Sequence, residues 1–266
     1  MARPFLARLV ALCSITAGIA VSLTGPAAAS PPLSYVFSED FLTVRFDSYG
    51  PAANELTVVE GNGVITLHDP LTSIVPGEGC VATDGASHTV VCEGLTSIVN
   101  LWGGNDVLDA TATRGVIGDL GDGDDVAYGG RERDSLSGGR GSDLLSGGPG
   151  GDSLAGDPGA DEIVGGPGFD LALYNLYKVP VTADLDAETG DDGAAGEGDT
   201  IRTDVEGLVG GFANDTLTGG SGPNWLLGAN GDDLLSVRDG VGGDSVDGGL
   251  GKDVCLTDPG DVRVSC

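Results

Sequence analysis

The chain is short of positive charge. Across 266 residues, 12 Lys and Arg face 41 Asp and Glu, for a net charge of −29. So few cations cannot build a basic groove, which excludes nucleic acid and anionic membranes as partners. Histidine is nearly absent, with only His68 and His88 for acid–base work, and neither has an evident nucleophile beside it. Both read as solvent-facing strand residues. No His-Glu-x-x-His, Gly-x-Ser-x-Gly or Arg-Gly-Asp occurs. The sequence therefore reads as a non-enzyme. A carboxylate-pair glycosidase could draw on the many acids, but none of them can be singled out.

Long apolar runs are missing after residue 23. The run that exists, from Leu9 to Leu23, follows Arg3 and Arg8 and precedes Ala27-Ala28-Ala29. That pattern is a secretory signal peptide over residues 1–29 with cleavage near Ala29, so a secreted, extracellular protein is expected. A membrane anchor needs roughly 20 apolar residues, and Cys13, Ser14, Thr16 and Gly18 interrupt this run. Cys13 follows Leu12, where a lipoprotein signal wants a small residue. Processing leaves four of five cysteines in a chain bound for an oxidising compartment, so two disulfides are expected. Three connectivities exist. The local one, Cys80–Cys92 and Cys255–Cys266, is favoured because each bridge closes a loop of about a dozen residues.

What is abundant is glycine, 48 residues of it. Residues 129–173 divide without remainder into GGRERDSLS, GGRGSDLLS, GGPGGDSLA, GDPGADEIV and GGPGFDLAL. Each unit approximates Gly-Gly-x-Gly-x-Asp-x-apolar-x, and such a fixed period signals a stacked repeat architecture. The Gly-rich half is a tight turn with positive φ and bare carbonyls. The x-apolar-x half is a short strand with one side chain inward. Two units make a coil of 18 residues, and coils stack as two parallel sheets with turns roughly 4.8 Å apart. Asp125, Asp143 and Asp161 then form one column, and Asp134, Asp152 and Asp170 the other. Each column is a ladder of like charges that repel unless a cation sits between rungs. Carboxylates and carbonyls are hard oxygen donors, which select Ca²⁺ over zinc or copper. Two inward side chains per coil form a core too thin to order 18 residues alone. Binding of several calcium ions therefore reads as the folding switch.

Along the chain, residues 30–100 alternate like antiparallel strands and read as a β-strand cap region. LTVRF (42–46) is one strand; ELTVVEGNGVITLH (55–68) is a hairpin turned at Gly61-Asn62-Gly63; a further turn is expected at Asp84-Gly85. A first array spans 101–173 and opens imperfectly. Asp106 and Leu108 hold the Asp and apolar places, Gly115 and Ile117 hold them next, and Asp125 and Ala127 follow after a one-residue slip. Residues 174–209 interrupt the phase: NLYKVPVTADLDAETG reads as a strand and GDDGAAGEGD as a flexible acidic loop. Asp184–Gly193 loosely resembles an EF-hand loop but lacks flanking helices, so a solvated loop is the better reading. A second array over 210–256 contains a two-residue insertion, Val237-Arg238, and residues 257–266 read as a disulfide-tied cap.

These units resemble the RTX, or hemolysin-type, calcium-binding repeat family of secreted bacterial proteins, over about Leu101 to Leu256. The resemblance implies an all-β fold, a parallel β-roll (a right-handed β-helix or solenoid). It also implies calcium held by the turn Asp and backbone carbonyls of adjacent coils. Residue by residue it nominates Asp125, Asp134, Asp143, Asp152, Asp161 and Asp170, then Asp215, Asp233, Asp244 and Asp253, with Asp106 at the start. Asn224 replaces Asp and should weaken its site. The function expected is a secreted calcium-binding protein of structural or interaction role, with a protein or cell-surface partner not named by the sequence. The alternative is a calcium-stabilised extracellular enzyme or adhesin.

Overall fold

The computed structural model describes residues 33–40, 43–76, 80–83, 88–94 and 96–266. The signal segment and the turn expected at Asp84-Gly85 lie outside the described residues. Described residues 33–266 contain strands and turns and no helix, and they form a parallel β-solenoid of about nine turns. The reason is visible in any unit of the first array. Leu144–Ser146, Ser153–Ala155, Glu162–Val164 and Leu171–Leu173 are three-residue strands whose middle side chain is buried and whose neighbours are half-buried. Each strand pairs in parallel with the unit after next: Leu145 lies opposite Ala127 and Ile163, and Leu154 opposite Leu136 and Ala172. The coil is thus two units long, and the core is two stacks of single side chains.

The sheets do not stop at residue 100. Thr43–Tyr49 pairs in parallel with Thr96–Asn100, which pairs with Val116–Asp122, and Glu55–Gly61 pairs in parallel with Val107–Ala112. Antiparallel pairs occur among the strands outside these, although Leu33–Asp40 also pairs in parallel with Ile74–Pro76, so the expected antiparallel pairing holds for only part of this region. Leu33–Asp40 lies on Thr43–Tyr49, and Glu55–Gly61 turns through Asn62 (φ 55°) and Gly63 (φ 77°) into Val64–His68. The two positive φ values make the tight turn a hairpin prefers. Cys80 faces Cys92 across Cys80–Ala82 and Thr89–Glu93, and the two are disulfide-bonded.

The register near residue 117 also differs from expectation. Ile117 pairs with Ser135 and is exposed, whereas Gly118 pairs with Leu136 on the inward face. Val116, not Gly115, holds the Asp place, so the one-residue slip precedes this unit instead of following it. A Cβ on Gly118 would stand about 3 Å from the methyls of Leu108 and Leu136, which already fill the space.

At the interruption the two faces behave differently. A twelve-stranded sheet passes through unbroken, from Leu171–Leu173 to Gly207–Val209 and on to Trp225–Leu227. The opposite nine-stranded sheet ends at Thr200–Ile201 on Glu162–Val164, and a five-stranded sheet continues from Val181–Asp184. The acidic stretch expected to be a flexible loop is instead a hairpin: Gly193–Ala194 pairs with Val181–Asp184, and Asp192 bridges Asp199. Beyond it, Leu226 meets Val246 and Leu235 meets Cys255, steps of 20 that absorb Val237-Arg238, with Val237 turned into the core. Val262–Val264 adds one more parallel strand to Ser245–Asp247, tied by the Cys255–Cys266 disulfide.

Candidate metal centre

The turn aspartates line up as ladders joined rung to rung by hydrogen bonds. In the first column, Asp106 N–H donates to Asp125 Oδ1 (2.7 Å), Asp125 N–H to Asp143 Oδ1 (2.8 Å) and Asp143 N–H to Asp161 Oδ1 (2.8 Å). In the second, Val116 N–H donates to Asp134, Asp134 N–H to Asp152 and Asp152 N–H to Asp170. The second array repeats the scheme from Val181 N–H to Asp215, from Asp215 to Asp233 and from Asp233 to Asp253, with Asn224 N–H on Asp244 beside it. Ten of the eleven nominated Asp are at most 3% exposed, and only Asp253 is half-buried.

One oxygen of each carboxylate is therefore satisfied. The other is not. Oδ2 of Asp106, Asp125, Asp143, Asp152, Asp161, Asp170 and Asp233 is buried and meets no donor of the protein. A buried carboxylate without compensation shifts toward its neutral form. Burial, reinforced by Asp106, Asp143 and Asp124, pushes the Asp125 carboxyl up to about 7. Burial with Asp199, Asp143 and Glu197 pushes Asp161 up to about 8. Asp134, Asp143, Asp170 and Asp233 rise to about 6, and Asp106, Asp152, Asp215 and Asp244 rise as well, desolvation leading in every case. Rows of orphaned, hard oxygen atoms along each edge fit a divalent cation of calcium's kind.

The glycines hold this edge together for three separate reasons. In GGRGSDLLS, Gly138 leaves room for its own unit's carboxylate: a Cβ there would stand 2.3 Å from Asp143 Oδ2. Gly139 has φ +104°, a backbone that L side chains rarely adopt. The last Gly of the turn lets coils approach, since a Cβ on Gly159 would stand 1.5 Å from Gly141 O. Expecting positive φ for all three positions overstates the case; Gly159 and Gly168 are required by close approach alone. Asp157 takes the positive-φ place in its unit at 64°, which Asp tolerates better than most residues.

Several rungs escaped sequence reasoning. Asp161 N–H donates to Asp199 Oδ1 (3.0 Å), and Asp170 N–H to Glu206 Oε2 (2.9 Å), so each column gains one further rung inside the interruption. Asp199 is fully buried, and its Oδ2 accepts from Tyr174 O–H (3.0 Å), a phenol that burial and the Asp199 charge hold well above its usual range. The strand pattern of Thr200-Ile201 is the only sequence signal that could have placed Asp199 on a rung. Asp184, Asp186 and Asp191 come together in the EF-hand-like stretch, but Asp186 and Asp191 are exposed and no ladder joins them. His68 is exposed and bonds Thr89 Oγ1; His88, against expectation, is half-buried, with Nδ1 3.0 Å from Asp69 O.

The family model described as RTX calcium-binding nonapeptide repeat (4 copies) matches residues 119–154, 137–172 and 209–241. All three segments fall on the ladders. No curated protein matches the chain.

Proposed function

We propose that this chain, whose repeats are RTX calcium-binding nonapeptide repeats, is a secreted structural or interaction protein that orders as a β-roll on binding several calcium ions. The observation that carries the reading is the file of buried Oδ2 atoms without a protein donor. A dication between neighbouring rungs supplies the charge these oxygens need. The rungs that hold it are Asp106, Asp125, Asp143 and Asp161 on one edge and Asp134, Asp152 and Asp170 on the other, with Asp215, Asp233, Asp244 and Asp253 in the second array. Turn carbonyls supply the remaining ligands. Two disulfides, Cys80–Cys92 and Cys255–Cys266, support an oxidising, extracellular destination. A rigid acidic roll suits docking to a protein or cell-surface partner rather than chemistry.

The test is circular dichroism of the full chain during calcium titration and chelation. Chelation at neutral pH is expected to remove most of the β-sheet signal and re-addition to restore it. An unchanged spectrum without calcium would refute the coupling of binding to folding.

A further inference from the structure

Asp69 lies outside both arrays, just after strand Val64–His68, and is fully buried. Its Oδ1 accepts from Leu71 N–H (2.8 Å) and Thr72 N–H (3.0 Å), while its Oδ2 is buried and meets no donor of the protein. Thr72 Oγ1 donates to Asn54 Oδ1 (3.2 Å). Asn54 in turn donates to Asp106 Oδ1 through its backbone N–H (2.6 Å) and through Nδ2 (3.0 Å). Asp106 Oδ2 is the second orphaned oxygen of this group. Thr72 and Asn54 thereby join Asp69 to Asp106 through three hydrogen bonds.

Asn54 stands on the rung where the next carboxylate of the first column belongs. Its backbone N–H meets Asp106 Oδ1 as Asp106 N–H meets Asp125 Oδ1. Its amide, however, is bound to Asp106 through Nδ2 and to Ser48 and Thr72 through Oδ1, and it brings no charge. A cation on the amino-terminal side of Asp106 thus needs its second carboxylate from elsewhere.

We propose that Asp69 and Asp106 together hold one further calcium ion at the amino-terminal end of the first column, outside the matched repeats. The site rests on the calcium reading of the repeats. Its orphaned donors are both carboxylate oxygens, which favours calcium over zinc. Occupied, it fastens the loop after the hairpin to the first coil, so the region before residue 100 orders with the roll.

Equilibrium dialysis of the full chain against calcium, for wild type and D69N, tests this. D69N is expected to bind one ion fewer per chain while its calcium-induced β-sheet signal persists. Equal stoichiometry overturns the site, as does loss of two or more ions, which would place Asp69 in the fold at large. A wild-type chain that binds no calcium refutes the repeat reading itself, and this site with it. Should D69N fail to fold, wild-type crystals grown with calcium decide the matter. An anomalous peak about 2.4 Å from both Asp69 Oδ2 and Asp106 Oδ2 is expected. Occupied repeat sites with no peak here overturn the proposal.

Discussion

The first and second arrays share a motif but not an electrostatic condition. In residues 101–173, Asp106, Asp125, Asp143, Asp152, Asp161 and Asp170 all present a buried Oδ2 with no protein donor. In residues 210–256, Asp233 alone among the nominated carboxylates does so, while Asp215 Oδ2 accepts from Gly211 N–H (2.6 Å). Asn224 has replaced a carboxylate, and the coil step has stretched from 18 to 20 residues. Matching a repeat is thus a statement about backbone shape. Demand for a cation depends on which oxygens the local turn leaves unsatisfied.

Chelation should therefore separate the arrays, and this is the largest effect expected. Amide exchange without calcium should lose protection throughout 125–173 while 210–256 keeps a measurable part of it. Uniform loss would erase the distinction. Next in size is the contrast between Asp143→Ala and Asp253→Ala. Asp143 is an interior rung, which the proposed sites between rungs would share, whereas Asp253 is terminal and half-buried. With calcium at ten times its Kd each site contributes about 1.4 kcal/mol, so the losses should be roughly 3 and 1.4 kcal/mol. Equal shifts in urea midpoint would argue against shared rungs.

The pH dependence is smaller and opposite in sign to that of an ion-paired acid. Asp125 and Asp161 have folded values near 7 and 8, above the ordinary 3.8. Their contribution to the calcium-free fold is complete below about pH 4 and is lost as pH rises through 6 to 8. The calcium-free chain should resist urea better at pH 5 than at pH 8, and calcium added at pH 7 should release protons. Stability that rises with pH in the absence of calcium would contradict this. The smallest effect belongs to Asn224→Asp, which makes the second array resemble the first. It should add about 1 kcal/mol with calcium and cost a similar amount without it. A change of the same sign in both conditions would show that position 224 senses no ion.

The repeat period, the alignment of the turn aspartates, the single inward residue per strand and both disulfides were legible because each depends on local spacing. Asp199 and Glu206 were not, since their steps of 38 and 36 residues fall across an insert that hides the period. Val116 and Gly118 were misplaced for the same reason: a one-residue slip moves every inward side chain outward, and composition does not say on which side of a unit the slip falls. Alternation identified the strands before residue 100 but could not tell which of their partners run parallel, because direction is fixed by contacts distant in sequence. Asp69 carried no motif at all.

The unbroken twelve-stranded face also sets how the molecule yields under tension. A chain drawn out from its C-terminus is expected, once past the Cys255–Cys266 disulfide, to peel one coil at a time, each giving up 18 to 20 residues, roughly 60 Å of contour. Where Asp161 hands over to Asp199 the same event frees 38 residues, about twice that length. The insert is therefore a reserve of length folded between the two arrays, and only one face of hydrogen bonds runs past it.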